Sequence, residues 1–466
     1  MTIFGKVYGY LIVIFILATA CAQPPTTPGG QNRTDEQQEA DEYSSKVDSL
    51  IQLMTLEEKL GQLNMPAAGD ITTGLAQNVG IAAKIAEGKV GALLNIQGID
   101  KIHDAQRIAV EESRLGIPLI FAMDVIHGYK TIFPIPLGLS CTWNVDMIEK
   151  TARMAAREAS AEGISLTFSP MVDISRDPRW GRISEGSGED PFMQSEIARA
   201  MINGYQQDDL SRNTTLMSCV KHFALYGAPV AGRDYNTVDM SRLQMYNVYF
   251  PPFKAAVEEN VGCVMAAFND VDAIPATGSE WLMTEMLRNQ WGFDGFVVTD
   301  YTGINEMTAH GLGDLQAVSE LALEAGIDMD MVGEGFLTTL EDSYEEGKVS
   351  MADIDQAVRR VLTAKYKLGL FEDPYQYGDQ QRSQQEVFSA EHREFAREVS
   401  AESLVLLKND DDLLPLKADG TIAVIGPLVT NAENMTGTWS VAADFEKSVS
   451  LVEGIKNVVG DQLNLL

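Results

Sequence analysis

The sequence predicts an α/β fold, a (β/α)8-type TIM barrel followed by the incomplete start of an α/β sandwich domain. Three observations support this prediction. Strand-length apolar runs alternate with amphipathic stretches of helical period, the runs are apolar throughout, and polar residues directly follow several of them. A run that is apolar throughout is typical of a strand buried on both faces, and therefore of a parallel sheet.

A parallel sheet of this kind can be a closed barrel or a doubly wound open sheet. The apolar runs occupy residues 90–96, 117–123, 165–174, 216–220, 262–268, 295–299 and 326–331. Amphipathic stretches lie between several of them, at residues 147–162, 196–206, 243–260 and 315–325. A doubly wound open sheet is the alternative, but no Gly-x-Gly-x-x-Gly motif follows the first run and no P-loop is present. A barrel over residues 44–372 is therefore the favoured interpretation.

The first residues have the pattern of a targeting segment. Lys6 precedes an apolar stretch, and small residues then lead into Cys21. We interpret residues 1–20 as a lipoprotein signal peptide, with Cys21 lipidated and residues 21–43 forming a tether. The residue after Cys21 is Ala22. An Asp at this position would favour retention in the inner membrane, so Ala22 indicates a protein anchored in the outer membrane of a Gram-negative bacterium and facing the periplasm. An ordinary signal peptide and an uncleaved anchor are the alternatives.

A second domain begins late in the chain. Residues 373–390, which include a stretch rich in Gln, Asp and Arg, predict a linker. A helical pattern at 392–402 and a strand-like run at 421–427 follow. Residues 391–466 are therefore predicted to form a partial α/β sandwich domain, with too few elements to close a core of its own. We expect the chain to be incomplete in this domain.

Composition excludes several kinds of partner. The chain has 67 Asp and Glu against 35 Lys and Arg, a net charge of −32. Nucleic acid is not a plausible partner, because phosphate binding requires clustered Lys and Arg, and membrane contact is expected only through the N-terminal lipid anchor. Besides Cys21 there are three cysteines, without a Cys-x-x-Cys spacing, and the chain has five histidines. The sequence predicts neither a catalytic metal nor a cofactor.

Charged side chains follow the ends of several apolar runs. Asp124 follows the run at 117–123, Lys221 and His222 follow that at 216–220, and Asp300 follows that at 295–299. Arg182 lies shortly after the run at 165–174. Because the carboxyl ends of parallel barrel strands meet at one mouth, we expect these side chains to converge there. Taken alone, Asp300 is equally well interpreted as the N-cap of a following helix.

Such a set of side chains suits the recognition of a sugar. Two carboxylates, a Lys, a His and an Arg can hydrogen-bond several hydroxyls of one pyranose, and a carboxylate beneath the anomeric carbon can attack it. The ring of Trp180 either stacks on a sugar face or packs within its loop. A Schiff-base lyase acting through Lys221 is a rival interpretation on the same barrel.

Several longer motifs resemble glycoside hydrolase family 3. The segment 286–303 is similar to the family's nucleophile signature, in which an Asp follows a Gly, three aliphatic residues and a Ser or Thr. The stretches Phe-Ala-Met-Asp124-Val-Ile-His-Gly, Arg-Asp-Pro-Arg-Trp-Gly-Arg182 and Val-Lys221-His222-Phe are similar to its sugar-binding segments, in the family's order. The resemblance implies that Asp300 is the nucleophile. It also implies that the non-reducing-end glucose is bound by Asp124, Arg182, Lys221 and His222.

The family pattern also bears on the substrate, on one substituted position and on the acid/base residue. The resemblance implies an exo-acting, retaining enzyme. An Asp at position 124 favours a β-glucosidase acting on β-glucosides or oligosaccharides, because the family's β-xylosidases tend to have Glu there. Phe268 stands where many members have a Tyr beside the nucleophile. The acid/base of the family's two-domain glucosidases is a Glu of the second domain, and we expect it beyond residue 466. A β-xylosidase and a non-catalytic sugar-binding lipoprotein are the alternatives.

Overall fold

The fold was determined as a computed structural model, which describes residues 32–68, 78, 80–417, 420–460 and 463–465. The chain divides into two compact units, Met1–Ser45 and Lys46–Leu466. The predicted signal peptide and Cys21 lie outside the described residues. Residues 32–43, predicted as part of the tether, begin a helix, in agreement with a Glu- and Gln-rich composition that favours helix. In the described part of the chain no helix is long and apolar enough to cross a membrane.

Most of the strands are short and parallel. The strands are β1 (Asn64–Met65), β2 (Ala92–Leu94), β3 (Ile120–Met123), β4 (Leu166–Thr167), β5 (Met217–Phe223), β6 (Cys263–Ala266), β7 (Asp270–Val271), β8 (Ile274–Pro275), β9 (Phe296–Val298), β10 (Asp330–Met331), β11 (Gly420–Ile422) and β12 (Leu463–Leu465). A six-stranded sheet has the order β2-β3-β4-β5-β6-β9, and every pairing in it is parallel. Strands β7 and β8 form an antiparallel hairpin inserted after β6.

Further pairings close this sheet into a barrel. Strand β10 pairs in parallel with β1, with Asn64 opposite Asp330. An isolated parallel bridge between Ala67 and Leu94 joins the end of β1 to β2, and another between Val298 and Met329 joins β9 to β10. Within the described residues the ring therefore consists of β1, β2, β3, β4, β5, β6, β9 and β10. This closed ring of eight parallel strands confirms the predicted barrel.

Helices connect the strands and cover the barrel. The α-helices are α1 (Asn32–Leu53), α2 (Leu56–Gln62), α3 (Ile81–Ala86), α4 (Ile99–Arg107), α5 (Pro136–Ser140), α6 (Val145–Ala161), α7 (Pro191–Gln206), α8 (Arg242–Gln244), α9 (Pro251–Glu258), α10 (Gly303–Glu306), α11 (Leu315–Ala325), α12 (Gly335–Glu345), α13 (Met351–Lys367), α14 (Gln380–Glu386), α15 (Ala390–Glu402) and α16 (Leu451–Val459). A π-helical segment, Trp281–Gln290, lies between the β7–β8 hairpin and β9.

Polar caps mark the starts of several long helices. The side chains of Asn144, Asp190 and Asp314 accept backbone N–H groups in the first turns of α6, α7 and α11. Ser350 and Asp353 form a reciprocal capping box at the start of α13. Each cap satisfies an N–H group that has no partner within the helix and contributes about 1 kcal/mol.

A buried ionic network fixes β9, the strand that leads to Asp300. Asp328 Oδ2 accepts hydrogen bonds from the backbone N–H of Val297 at 2.7 Å and from Arg288 at 2.6 Å. Its Oδ1 accepts a hydrogen bond from Arg360 at 2.7 Å. The carboxylate is fully buried, so the two guanidinium groups are required to compensate its desolvation. The network therefore ties β9 to the segment before β10 and to α13.

The last part of the chain packs partly on the barrel and partly forms its own small sheet. Phe395 and Val399 of α15 and Ala442 belong to the same buried core cluster as residues of β3 and α6. Strands β11 and β12 pair in parallel with α16 between them, which is a βαβ unit. Apolar side chains of this part, such as Leu407 and Ile425, are exposed.

Candidate active site

Asp300 lies just beyond the carboxyl end of β9. Its Oδ1 accepts a hydrogen bond from the backbone N–H of Tyr301 at 2.7 Å. The next helix, α10, has Thr302 in the N-cap position, in a left-handed conformation with φ 55°, and no side chain caps it. The interpretation of Asp300 as a helix N-cap is therefore wrong, and its second oxygen is directed elsewhere.

That second oxygen faces cationic and ring nitrogen groups without a hydrogen bond to any of them. Asp300 Oδ2 is buried and lies 3.6 Å from His222 Nε2 and 4.0 Å from an Arg182 guanidinium nitrogen. Burial raises the pKa of Asp300 to about 6, and the nearby charges of Arg182 and Lys221 limit that rise. The carboxylate is therefore ionised at neutral pH but only weakly stabilised by its surroundings, as a nucleophile requires.

Lys221 and Asp124 form a buried ion pair beside Asp300. Lys221 is the fifth residue of β5, and Asp124 directly follows β3. Lys221 Nζ donates to Asp124 Oδ1 at 2.6 Å, and only 3% of the Lys221 side chain and 13% of the Asp124 side chain are exposed. The pair presents a donor and an acceptor at one place, as recognition of vicinal hydroxyls requires.

Arg182 is held in a fixed orientation by Glu185. Its guanidinium donates two parallel hydrogen bonds to the Glu185 carboxylate, at 2.7 and 2.9 Å. Burial opposes the charge of Arg182, but the hydrogen bonds and charge of Glu185 raise its pKa above the ordinary value. A third hydrogen bond runs from Arg182 to His222 Nε2 at 3.0 Å. Arg182 is therefore a rigid permanent cation that links two parts of the site.

His222 is oriented by Asp173 and kept neutral by its burial and its cationic neighbours. Asp173 Oδ2 accepts hydrogen bonds from the backbone N–H of His222 at 3.0 Å and from its Nδ1 at 2.8 Å. Burial, and then the charges of Arg182 and Lys221, lower the pKa of His222 well below its ordinary value. The neutral ring donates from Nδ1 and accepts from Arg182 at Nε2. Sequence reasoning missed Asp173, because it lies within an apolar run that ends at Ile174.

The rings of Trp180 and Phe268 both pack against Tyr226, whose ring contacts Arg182. Trp180 is only 1% exposed, its Nε1 donates to Asp234 Oδ1 at 2.8 Å, and its ring packs against Tyr226, so it is buried against the segment after β5 and offers no open face to a sugar. Phe268 is 7% exposed and lies 4.5 Å from the ring of Tyr235, measured between centroids. Its side chain has no donor for Asp300, but the rings of Tyr226 and Tyr235 are both adjacent to it.

A tryptophan from the second part of the chain also borders the site. The ring centroid of Trp439 lies 5.9 Å from the guanidinium carbon of Arg182 and 5.9 Å from Lys221 Nζ. The side chain is 38% exposed, so one part of the ring contacts the barrel cations while another faces solvent. The sequence analysis missed this residue because it is 139 positions from Asp300 in the chain. A Trp in the short polar stretch Gly437-Thr-Trp439-Ser was the local feature that could have indicated a binding residue.

Asp124, Arg182, Lys221, His222 and Asp300 thus come together at the carboxyl ends of the strands, where enzymes of this fold bind their substrates. Among the described residues no group of three or more His, Cys, Asp or Glu side chains is arranged to hold a metal ion. An ionised carboxylate with an unpartnered oxygen, surrounded by fixed donors and acceptors, has the chemistry to bind a molecule with several hydroxyl groups.

Comparison with known protein families identifies the class of protein to which the chain belongs. The model of the Glycosyl hydrolase family 3 N terminal domain matches residues 55–364, and that of the Glycosyl hydrolase family 3 C-terminal domain matches residues 404–464. The chain therefore belongs to glycosyl hydrolase family 3.

Individual relatives agree with this assignment. The chain is 43% identical to a periplasmic beta-glucosidase of Salmonella typhimurium over 90% of the chain and 55% of that protein. It is 35% identical to a beta-xylosidase of Formosa agariphila over 81% of the chain and 56% of that protein. The solved structure of a beta-glucosidase from Listeria innocua in complex with isofagomine matches 90% of the chain and 59% of its own length, with 39% identity and a TM-score of 0.85. The chain thus spans little more than half the length of these relatives.

Proposed function

We propose that this chain is the nucleophile-bearing part of an exo-acting, retaining β-glucosidase. Asp300 Oδ2 attacks the anomeric carbon of a non-reducing-end glucose, and the glycosidic bond to the leaving group breaks as the bond to Oδ2 forms. The observation that supports this most directly is the unpartnered, buried Oδ2 beside two cations and a neutral imidazole. Such a carboxylate is a nucleophile ready for a carbon centre.

The neighbouring side chains are proposed to hold the glucose hydroxyls. Lys221 and Asp124 supply a paired donor and acceptor, and Arg182 supplies further donors. Because Glu185 and Asp173 fix the orientations of Arg182 and His222, the sugar meets groups that need no rearrangement on binding. Pre-arranged polar contacts of this kind place the anomeric carbon over the nucleophile.

The second carboxyl group of the reaction is proposed to lie outside this chain. A retaining hydrolase needs an acid/base about 5–5.5 Å from its nucleophile. Glu185 is unsuited to this role because both of its oxygens are bonded to Arg182. Glu189 and Asp239, two further carboxylates in loops of the barrel, have exposed side chains. The greater length of the relatives is consistent with an acid/base contributed by further residues.

Trapping of the glycosyl-enzyme tests the nucleophile. With 2,4-dinitrophenyl 2-deoxy-2-fluoro-β-D-glucoside, dinitrophenolate leaves without protonation, so the chain should gain the mass of one fluoroglucosyl group. Peptide mapping should locate it on Asp300, and Asp300→Asn should remain unlabelled. Labelling should slow as the pH falls below about 6, because protonation removes the attacking lone pair. A label on another residue would contradict the proposal.

Two further comparisons separate the alternatives. Equal or faster labelling by the corresponding 2-fluoroxyloside would favour a β-xylosidase, which the beta-xylosidase of Formosa agariphila makes a specific second candidate. Rapid cellobiose hydrolysis by the 466-residue chain would show that an acid/base is already present. Binding of glucose without any labelling would indicate a sugar-binding protein.

The location of the protein is also a proposal. A periplasmic relative and the Cys21 motif support a lipoprotein of the outer membrane that acts on glucosides in the periplasm. Fractionation of cells producing the chain should find it with the outer membrane. The Cys21→Ser variant should appear in the soluble periplasmic fraction or remain unprocessed.

A further inference from the structure

The segment that carries Trp439 is tied to the barrel by three side chains. His127 Nε2 lies 2.8 Å from the carbonyl oxygen of Thr438, Lys130 Nζ donates to that of Ala442 at 2.7 Å, and Gln97 Nε2 donates to that of Val441 at 3.2 Å. We call His127, Lys130 and Gln97 the carbonyl clasp. All three belong to loops after barrel strands, and all three engage one short stretch of backbone.

The backbone of this segment is strained where the clasp holds it. Trp439 has φ 55°, a left-handed conformation that side chains with a Cβ atom rarely adopt. Gly437 has φ 73°, and a Cβ atom there would lie 2.5 Å from a methyl carbon of Ile135. A strained conformation persists only where surrounding contacts determine it, and such positions are frequent at ligand-binding sites. The clasp supplies those contacts.

His127 has no capacity left for a ligand. The side chain is 3% exposed, and its Nδ1 lies 2.9 Å from the carbonyl oxygen of Phe133, in its own loop, while Nε2 faces Thr438. Although His127 lies only three positions after Asp124, both of its ring nitrogens are directed at backbone carbonyl groups. Its role is therefore to connect the loop after β3 with the segment that carries Trp439.

We propose that His127 is a positioning residue that holds Trp439 over the edge of the sugar site and thereby sets the affinity for the leaving-group part of a glucoside. Its effect on affinity rests on the proposed function of the site. Glucose itself is held by Asp124, Arg182 and Lys221, which the clasp does not contact. Loss of His127 should therefore weaken ligands that extend past the glucose and leave glucose binding nearly unchanged.

Hydrogen exchange of the segment tests the clasp without any ligand. In His127→Ala, amide exchange in residues 436–442 should be at least tenfold faster than in the wild-type chain, whereas His127→Gln, which retains a donor, should restore most of the protection. His103→Ala is the matched control: its ring makes a similar contact, 3.0 Å from the carbonyl oxygen of Tyr377, and its loss should leave residues 436–442 unchanged. Unaltered exchange in His127→Ala would overturn the proposal.

Ligand binding tests the consequence for affinity. The dissociation constant of p-nitrophenyl β-D-thioglucoside should rise about tenfold in His127→Ala and in Trp439→Ala, with no further rise in the double variant. The dissociation constant of glucose should change less than twofold in His127→Ala, because Glu185 and Asp124 hold Arg182 and Lys221 in place. His127→Gln should recover the affinity for the thioglucoside. An equal loss for both ligands would contradict a positioning role. If neither ligand binds the wild-type chain, the proposed function fails. The hydrogen-exchange experiment still shows whether His127 holds residues 436–442 in place.

Discussion

Replacement of Asp300 by Asn should stabilise the folded chain at neutral pH. In the unfolded chain the carboxyl group releases its proton near pH 3.8, whereas burial raises its pKa in the folded chain to about 6. Between these values the folded chain binds more protons than the unfolded chain, so the free energy of unfolding decreases as the pH rises. At about 1.4 kcal/mol for each pH unit, the ionised carboxylate lowers this free energy by about 3 kcal/mol above pH 6.

The sign and the pH window of this effect are both measurable. Unfolding entropy is about 2.1 cal/mol/K per residue, so for a unit of the size of Lys46–Leu466 a gain of about 3 kcal/mol raises the Tm by about 3 °C. Thermal unfolding of wild type and Asp300→Asn should show this difference at pH 7.5. The difference should fall below about 1 kcal/mol at pH 4, where the folded carboxyl group is protonated and the unfolded one is only about half ionised.

A matched variant shows whether the effect belongs to the buried carboxylate. Asp239 is exposed, and Asp239→Asn should leave the Tm unchanged at both pH values. A variant Asp300→Asn that is no more stable than wild type at pH 7.5 would refute the reasoning. The same conclusion would follow from a gain in Tm that does not vary between pH 4 and pH 7.5.

Three further variants test the contacts that support the site. Lys221→Met leaves the Asp124 carboxylate without its cation and should slow fluoroglucoside labelling at least 100-fold, measured by intact mass, equivalent to about 3 kcal/mol. Glu185→Gln removes the charged partner of Arg182 and should weaken glucose binding roughly tenfold by calorimetry, since the guanidinium loses its fixed orientation. Asp328→Asn leaves two buried guanidinium groups poorly compensated and should lower the free energy of unfolding in urea by about 3 kcal/mol; an unchanged midpoint would show the network to be dispensable.

The sequence predicted the barrel and the convergence of its strand ends because both follow from local patterns. Apolar runs of strand length mark the strands, and the first charged residue after a run marks the mouth. For this reason Asp124, Lys221 and Asp300 could be assigned to one site although they are far apart in the chain. Strand β1 was not predicted, because its two residues form no apolar run and it is recognisable only from its pairing with β10, at the other end of the barrel.

The remaining parts of the site depend on contacts that leave no local pattern. Asp173 lies within an apolar run, and its role is apparent only from its distance to His222. Trp180 is an aromatic residue in a polar loop, and the sequence alone does not distinguish a buried ring from an exposed one. Trp439 is more than 250 positions from Arg182 in the chain, so its approach to Arg182 is a property of long-range packing.

If the site binds sugar as proposed, the position of Trp439 makes ligand binding and attachment of the segment that carries Trp439 thermodynamically reciprocal. A ligand that contacts both this ring and the barrel binds more tightly when the segment is attached, and by the same free energy it favours attachment. On the proposed function, we expect a glucoside that contacts Trp439 to stabilise the attachment of this segment to the barrel, and we expect glucose alone to have little effect. Fastening the segment more firmly would raise affinity for the extended ligand without any change in the residues that touch it.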